Sequence, residues 1–263
     1  MARPIGELGN REAGQRRVTL PRHIRRSPKT SEVIAREIAN YIIANDLPEG
    51  SMLPVEREML ESLGVGRTTL REALRLLETR GVLTIRAGPK GGPVVRRPLA
   101  DDLGEALTLI LQFEGASLAD VYEARNALEP MLAELAASRI TEADLAELDE
   151  TVTRILANLD DQDVFVVENR SFHTVVARAA GSVVLRVLLE TLKSIADGTT
   201  VGVEYTPRRR KAVADVHQAV IERLRARDAP GAAEAMRHHL GEAARYWQQK
   251  YPELYGRPVR WVG

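Results

Sequence analysis

Between two runs of helical periodicity stands the tripeptide Gly64-Val65-Gly66, and a break that short leaves few folds open. Before it, Met59, Leu60 and Leu63 form one apolar stripe, with Pro54 suited to a first helical turn. After it, Leu70, Ala73, Leu74 and Leu77 form another, which ends at Gly81. Two short helices joined so tightly share an apolar face that neither covers alone. A partner is legible upstream. There Val33, Ile34, Ile38, Tyr41 and Ile42 recur at helical spacing, Ser31 is placed as an N-cap, and Leu47-Pro48-Glu49-Gly50 supplies the stop. Downstream, Val82-Leu83-Thr84-Ile85 and Val94-Val95 flank a Gly- and Pro-rich turn from Gly88 to Pro93, the pattern of a β-hairpin. The expectation for residues 30–97 is three helices followed by a hairpin wing.

The 263-residue chain carries 37 Lys+Arg and 37 Asp+Glu, a neutral total that speaks against a nucleic-acid partner. The distribution reverses that inference. Periodicity breaks and the charge changes sign at Arg96-Arg97-Pro98-Leu99-Ala100-Asp101-Asp102, which places a linker at 98–102. Residues 1–98 hold 18 basic and 11 acidic side chains, a net +7, so the remainder is −7. Residues 1–29 show no apolar period and read as a disordered basic arm, either a solvated tail or a source of extra phosphate contacts. In the third helix Arg67, Arg71 and Arg75 stand four apart, away from the apolar stripe. Alone, such a row is the solvated side of an ordinary helix. With the glycine turn, the wing and the local charge, it reads as the second helix of a helix-turn-helix, entering a major groove N-terminus first. Arg67 and Arg71 have the fork geometry for guanine edges or phosphates, and Thr68, Thr69 and the free N–H groups of the first turn suit phosphate oxygens. Arg86, Lys90, Arg96 and Arg97 make the wing basic.

Leu53-Pro54-Val55-Glu56-Arg57-Glu58, followed by Leu63-Gly64-Val65-Gly66-Arg67-Thr68-Thr69-Leu70-Arg71-Glu72-Ala73-Leu74, resembles the winged helix-turn-helix of GntR-family transcription regulators, over most of residues 31–95. The resemblance implies DNA contacts from Arg57, Arg67 and Arg71, supported by Thr68 and Thr69. Gly66 stands where the family usually has Ser or Thr and so withholds a side-chain cap, at a cost of about a few tenths of a kcal/mol. The wing is richer in Pro and Gly than the family's common Gly-x-Gly form.

From Leu103 to Lys250 the chain reads as six or seven helices with no strand signal. The expected fold class is thus mainly α, with an antiparallel α-helical bundle over 103–250 and a tail at 251–263. Thr141 and Asp144 form a capping pair ahead of the stripe Leu145, Leu148, Val152 and Ile155. Of five histidines, His173, His217 and His239 fall on three separate helices, and Asn169 shares a face with His173. Taken singly, each is more often a hydrogen-bonded core histidine than a ligand. Taken together as neutral imidazoles, they suit zinc, nickel or another borderline divalent metal ion. The chain has no cysteine, which excludes disulfides, thiolate sites and cysteine nucleophiles and leaves any metal to histidine and oxygen. No apolar run reaches the roughly 18 residues of a membrane span and no secretory pattern opens the chain, so the expected location is cytoplasmic.

Asp120-Val121-Tyr122-Glu123-Ala124-Arg125-Asn126-Ala127-Leu128-Glu129, then Phe172-His173, Val216-His217 and Met236-Arg237-x-His239-Leu240, resemble the FCD effector domain of the FadR-like branch of the GntR family. The resemblance implies a metal held by His173, His217 and His239, with Asn169 at a position where the family has Asp and offering only a neutral carbonyl oxygen. It also implies a pocket-facing Arg125 that pairs with an effector carboxylate. Read from the residues alone, Arg125 is also an ion-pair partner for Glu129, four positions on. His238 points about 100° away from His239 and is left out. The expected protein is a homodimeric repressor rather than an enzyme. It would bind double-stranded DNA at a palindromic operator and respond to a small carboxylate effector. Two competing expectations are a metal-dependent hydrolase bundle fused to a DNA-targeting domain, for which no general base is found, and an architectural DNA-binding protein without a ligand.

Overall fold

The computed structural model describes residues 29–88, 91–199 and 202–260; the basic arm up to residue 28 and the wing residue Lys90 lie outside the described residues. Helices α1 (Thr30–Ala44), α2 (Glu56–Leu63) and α3 (Arg67–Thr79) precede a hairpin in which β1 (Leu83–Arg86) pairs antiparallel with β2 (Gly92–Val95). Ile34, Ile38 and Ile42 of α1 meet Met59 of α2 and Leu70, Leu74 and Leu77 of α3 in one core, closed by Leu83 and Val95 of the wing. Gly64 ends α2 in the left-handed region at φ 63°, a conformation that costs glycine little and lets the turn stay short. Residues 51–53 brace the wing, where Leu53 N donates to the Pro93 carbonyl and Val95 N to that of Ser51.

Three details differ from expectation here. Ser31 does not cap α1, because the helix already starts at Thr30 and Ser31 is buried in its first turn. Pro54 lies ahead of α2, with Val55 at the N-cap. Tyr41 is 58% exposed, because α1 turns its 34/38/42 row inward and position 41 lies about 100° from Ile42.

The C-terminal part comprises α4 (Ala100–Glu114), α5 (Leu118–Arg139), α6 (Glu142–Ala157), α7 (Gln162–Ala179), α8 (Val183–Thr199), α9 (Pro207–Arg225), α10 (Ala229–Lys250) and the short α11 (Pro252–Tyr255). Helix starts follow local cap chemistry. Thr141 Oγ1 accepts from Asp144 N while Asp144 Oδ2 accepts from Thr141 N, and Ser117 and Asp120 repeat the exchange ahead of α5. Helix α4 begins inside the segment expected to be a linker. Asp102 closes the turn ahead of it, accepting from Leu99 N at 2.6 Å and from Arg96 Nη1 at 2.8 Å. The same carboxylate lies against Gly81, φ 70°, where a β-carbon would collide with it. The expected tail is packed in part: Val259 is fully buried and its N–H donates to the Ala116 carbonyl at 2.9 Å. Leu132, Leu148, Ile155, Phe172, Ile221 and Met236 join α5, α6, α7, α9 and α10 around one apolar core. That core sets the inner faces of α7, α9 and α10, and hence the positions of their histidines. Among the described residues no helix is long and apolar enough to cross a membrane.

Candidate metal centre and nucleic-acid interface

In the N-terminal unit, burial of Leu70, Ala73, Leu74 and Leu77 turns the opposite face of α3 outward, so Arg67, Thr68 and Arg71 are exposed and Thr69 is half-buried. Arg57 is exposed on the first turn of α2. Gly66 occupies the N-cap of α3 in an extended conformation with no side-chain cap, which leaves that helix start to outside acceptors. The spacing argument did not reveal Glu56, whose Oε2 accepts from Arg71 Nη2 at 3.2 Å and from Nε at 3.3 Å. Glu56 therefore holds the Arg71 fork in place. Of the basic wing residues, Arg86 is exposed, Arg96 is bound to Asp102, and Arg97 lies 3.7 Å from Asp46.

Glu56→Gln tests the positioning. Exposed ion pairs are worth about 0.2–1 kcal/mol, so the ratio of operator to random-duplex affinity is expected to fall about two- to fivefold. Affinity for the random duplex itself should hold or rise, since a carboxylate beside the phosphates is removed. Anisotropy titrations with both duplexes measure this, and an unchanged ratio would remove Glu56 from recognition.

In the bundle, His173 of α7, His217 of α9 and His239 of α10 converge and are buried. His239 Nε2 lies 3.2 Å from His173 Nε2 and 3.3 Å from His217 Nε2. Burial holds His217 and His239 well below the ordinary histidine value, reinforced by the neighbouring imidazoles, so both are neutral near pH 7. Burial also lowers His173, against the opposing pull of Glu129. His173 Nδ1 lies 2.5 Å from Glu129 Oε2. Glu129 is ionised and can only accept, so Nδ1 carries the proton and Nε2 presents its lone pair to the cluster. Phe172 stacks on His217 at 3.7 Å between ring centroids, fixing that ring's plane.

Three neutral rings that present nitrogens to one another in a buried space lack a shared acid. A tetrahedral zinc ion with bonds of about 2.0–2.1 Å requires ligand nitrogens about 3.3–3.4 Å apart, and the two observed separations match that edge. The donor set fits a divalent metal, and Glu129 is its orienting partner. Arg125 Nε donates to Glu129 Oε1 at 2.6 Å, so the chain Arg125–Glu129–His173 runs from α5 to the cluster. A small cavity of about 40 Å3 adjoins the cluster, and Asn169, His173, His239 and Arg125 all line it. Arg125 thus combines the ion pair with a place on the cavity wall. Glu168 turns away to α6, where Arg154 Nη1 donates to it at 3.2 Å, and His238 is exposed.

A winged helix-turn-helix with an outward arginine face, joined to a helical bundle that encloses a histidine cluster, defines a DNA-binding transcription regulator with a sensing domain. The chain belongs to the GntR family. Residues 30–90 match the model for bacterial regulatory proteins of the gntR family, and residues 120–242 match the FCD domain. It is 31% identical over 234 residues to the Escherichia coli (strain K12) protein named "Putative L-lactate dehydrogenase operon regulatory protein", covering 85% of this chain and 86% of that one. It is 29% identical over 224 residues to the HTH-type transcriptional repressor NanR of Citrobacter rodentium, covering 83% and 85%. Among solved structures it is similar to a GntR protein of Streptococcus agalactiae, with TM-score 0.66, 29% identity and coverage of 82% of this chain and 99% of that one.

Proposed function

We propose that this regulator is a homodimeric repressor whose operator affinity is set by a small carboxylate held at a metal in the FCD domain. The observation that carries the reading is the convergence of three buried, neutral histidines, one of them oriented by Glu129, in a domain fused to a winged helix. In this reading residues 30–97 bind DNA through Arg57, Arg67, Thr68, Thr69 and Arg71. Residues 103–250 bind effector and partner subunit. His173, His217 and His239 hold the metal, zinc or nickel by donor type, with Asn169 as a weaker oxygen ligand. A divalent ion held there supplies a positive centre with open positions for an acid's oxygens. The cationic wall of the cavity, including Arg125, favours the same charge in the ligand.

Repression accords with the name of the NanR relatives, and a small organic acid accords with the L-lactate operon in the name of the E. coli protein. Dimerisation is supported by apolar side chains left uncovered on two packed helices, Ile110 and Phe113 of α4 and Val183 and Val184 of α8. Two recognition helices about 34–36 Å apart would then read successive major grooves of a palindrome. The effector shifts this equilibrium only by binding the two arrangements of the dimer unequally.

The test is release of an operator fragment by short carboxylates from zinc-loaded protein, with loss of both zinc and response in His173→Ala and His217→Ala. Release by every anion alike, at equal concentrations, would refute it. Acid should act on the same residues through folding stability. Unfolded histidine titrates near 6.5, whereas His217 and His239 resist protonation when folded. Below about pH 6.5 the unfolded chain therefore takes up protons that the native state excludes. Stability is full above that pH and declines as pH falls through it. Because these ligands stay deprotonated in the native state, zinc is retained for as long as the domain stays folded. The melting temperature is expected to drop between about pH 7.5 and pH 5.5 while zinc stays bound to the protein that remains folded; a melting temperature unchanged over that range, or zinc released from still-folded protein near pH 6.5, would contradict the assignment.

A further inference from the structure

Two arginines line the cavity beside the histidines, and they differ in how much of their hydrogen-bonding capacity is already used. Arg125 is buried, its Nε is bonded to Glu129, and its guanidinium carbon lies 5.1 Å from the Tyr122 ring centroid. Arg209 enters from the first turn of α9 with its guanidinium carbon 4.6 Å from the Tyr246 ring centroid. Among the described residues Arg209 Nη2 reaches the Glu242 carbonyl alone, at 3.3 Å, and its Nε is buried with no hydrogen-bond partner. Among the described residues no carboxylate lies within ion-pair distance of Arg209; the carboxylate of Glu242, whose carbonyl it reaches, pairs instead with Arg245. A buried N–H of a cation left without an acceptor is costly, and it marks a place where an acceptor belongs.

The space in front of it has limits. At about 10–15 Å3 for each water, 40 Å3 holds roughly three waters, the volume of a carboxylate head and little more. Asn169 and two of the three histidines share that wall. An acid group at Arg209 would therefore lie in the same small cavity that two of the histidines border.

We propose that Arg209 is the docking residue for the effector's acid group, taking a short-chain carboxylate through its guanidinium fork, while Arg125 acts through Glu129 as a positioning residue for His173. The ring of Tyr246 fixes the plane of the Arg209 fork, and a planar fork matches a carboxylate in a way that an ammonium does not. Because Arg209 also holds the Glu242 carbonyl of α10, a bound acid is read at the point where α9 and α10 are joined. This inference rests on the metal-held effector described above.

Its test uses full-length, zinc-loaded protein titrated calorimetrically with acetate, glycolate and L-lactate, with zinc content measured on the same samples. Arg209→Gln is expected to bind the preferred acid of the three about tenfold or more weakly, the value of one charge-assisted hydrogen bond, with zinc content unchanged. Arg209→Lys keeps the charge without the fork and should fall between. Arg125→Gln should weaken zinc uptake about tenfold or more, through Glu129 and His173, and should lower acid affinity at zinc saturation less than Arg209→Gln does. Acid affinity within twofold of wild type in Arg209→Gln overturns the dock, as does loss of acid affinity confined to Arg125→Gln. A wild-type protein that takes up no zinc, or that takes up zinc and binds none of the three acids, overturns the metal-held effector and the dock with it.

Discussion

Replacing Glu129 with alanine is expected to lower the stability of the C-terminal domain by about 3–5 kcal/mol, the cost of removing one partner from a buried ion pair. Glu129 is 1% exposed and Arg125 7%, so water cannot compensate the stranded guanidinium. Burial alone would raise the Glu129 carboxyl. The Arg125 guanidinium and the His173 ring outweigh that penalty and hold it far below the usual carboxylate range. The sign follows: the pair stabilises the fold above the unfolded carboxyl's pKa of about 4.3, and that contribution is lost as pH falls below it. His173 loses its acceptor in the same substitution, so zinc affinity should fall about 10- to 100-fold. Glu129→Gln retains an acceptor for one neighbour and should be milder in both respects. Urea denaturation with a competition assay for zinc measures both effects. A loss below about 1 kcal/mol in Glu129→Ala would show that the Arg125–Glu129–His173 chain does not organise the site.

The second large effect is expected on DNA. In the proposed reading the Arg67 and Arg71 forks meet base edges, so Arg67→Ala and Arg71→Ala should each cost about 1–3 kcal/mol of discrimination on an operator fragment selected from a random pool. Arg57→Ala should instead weaken all duplexes alike and reduce the salt slope by about one, as a lost phosphate contact does. An unchanged preference in both recognition-helix variants would mean that α3 is not the element in the groove.

What was legible in the sequence follows from how far each decision reaches along the chain. The turn at Gly64-Val65-Gly66 is local, and so is the cap exchange at Thr141/Asp144, and both fell where the sequence placed them; the exchange at Ser117/Asp120 is equally local but was not read. The start of α4 was missed because Asp102 reads as a change of charge sign until Arg96 and Leu99 N are seen bonded to it. Val259 could not be placed, since its partner carbonyl belongs to Ala116, far back in the chain. The histidines were suspect by their helix positions, but only the packing of Phe172, Ile221 and Met236 turns them toward one point. Glu129 touches His173 across 44 residues, and nothing in the local pattern of α5 says that its carboxylate crosses to α7. Arg209 sits in a run of three arginines, Arg208 to Arg210, that reads as an ordinary basic helix start; only burial separates them.

The contact of Asp102 with Gly81, Arg96 and Leu99 N has a mechanical consequence. The short stretch between β2 and α4 is not slack cord, because one carboxylate pins the first turn of α4 to the base of the wing and to the end of α3. The same first turn is also seated on α8, where Thr191 Oγ1 donates to the Ala100 carbonyl at 3.4 Å and Gly104 lies against Ser194, so it belongs at once to the wing and to the bundle. That turn is a stiff joint between α8 and the end of α3, with no slack chain between them.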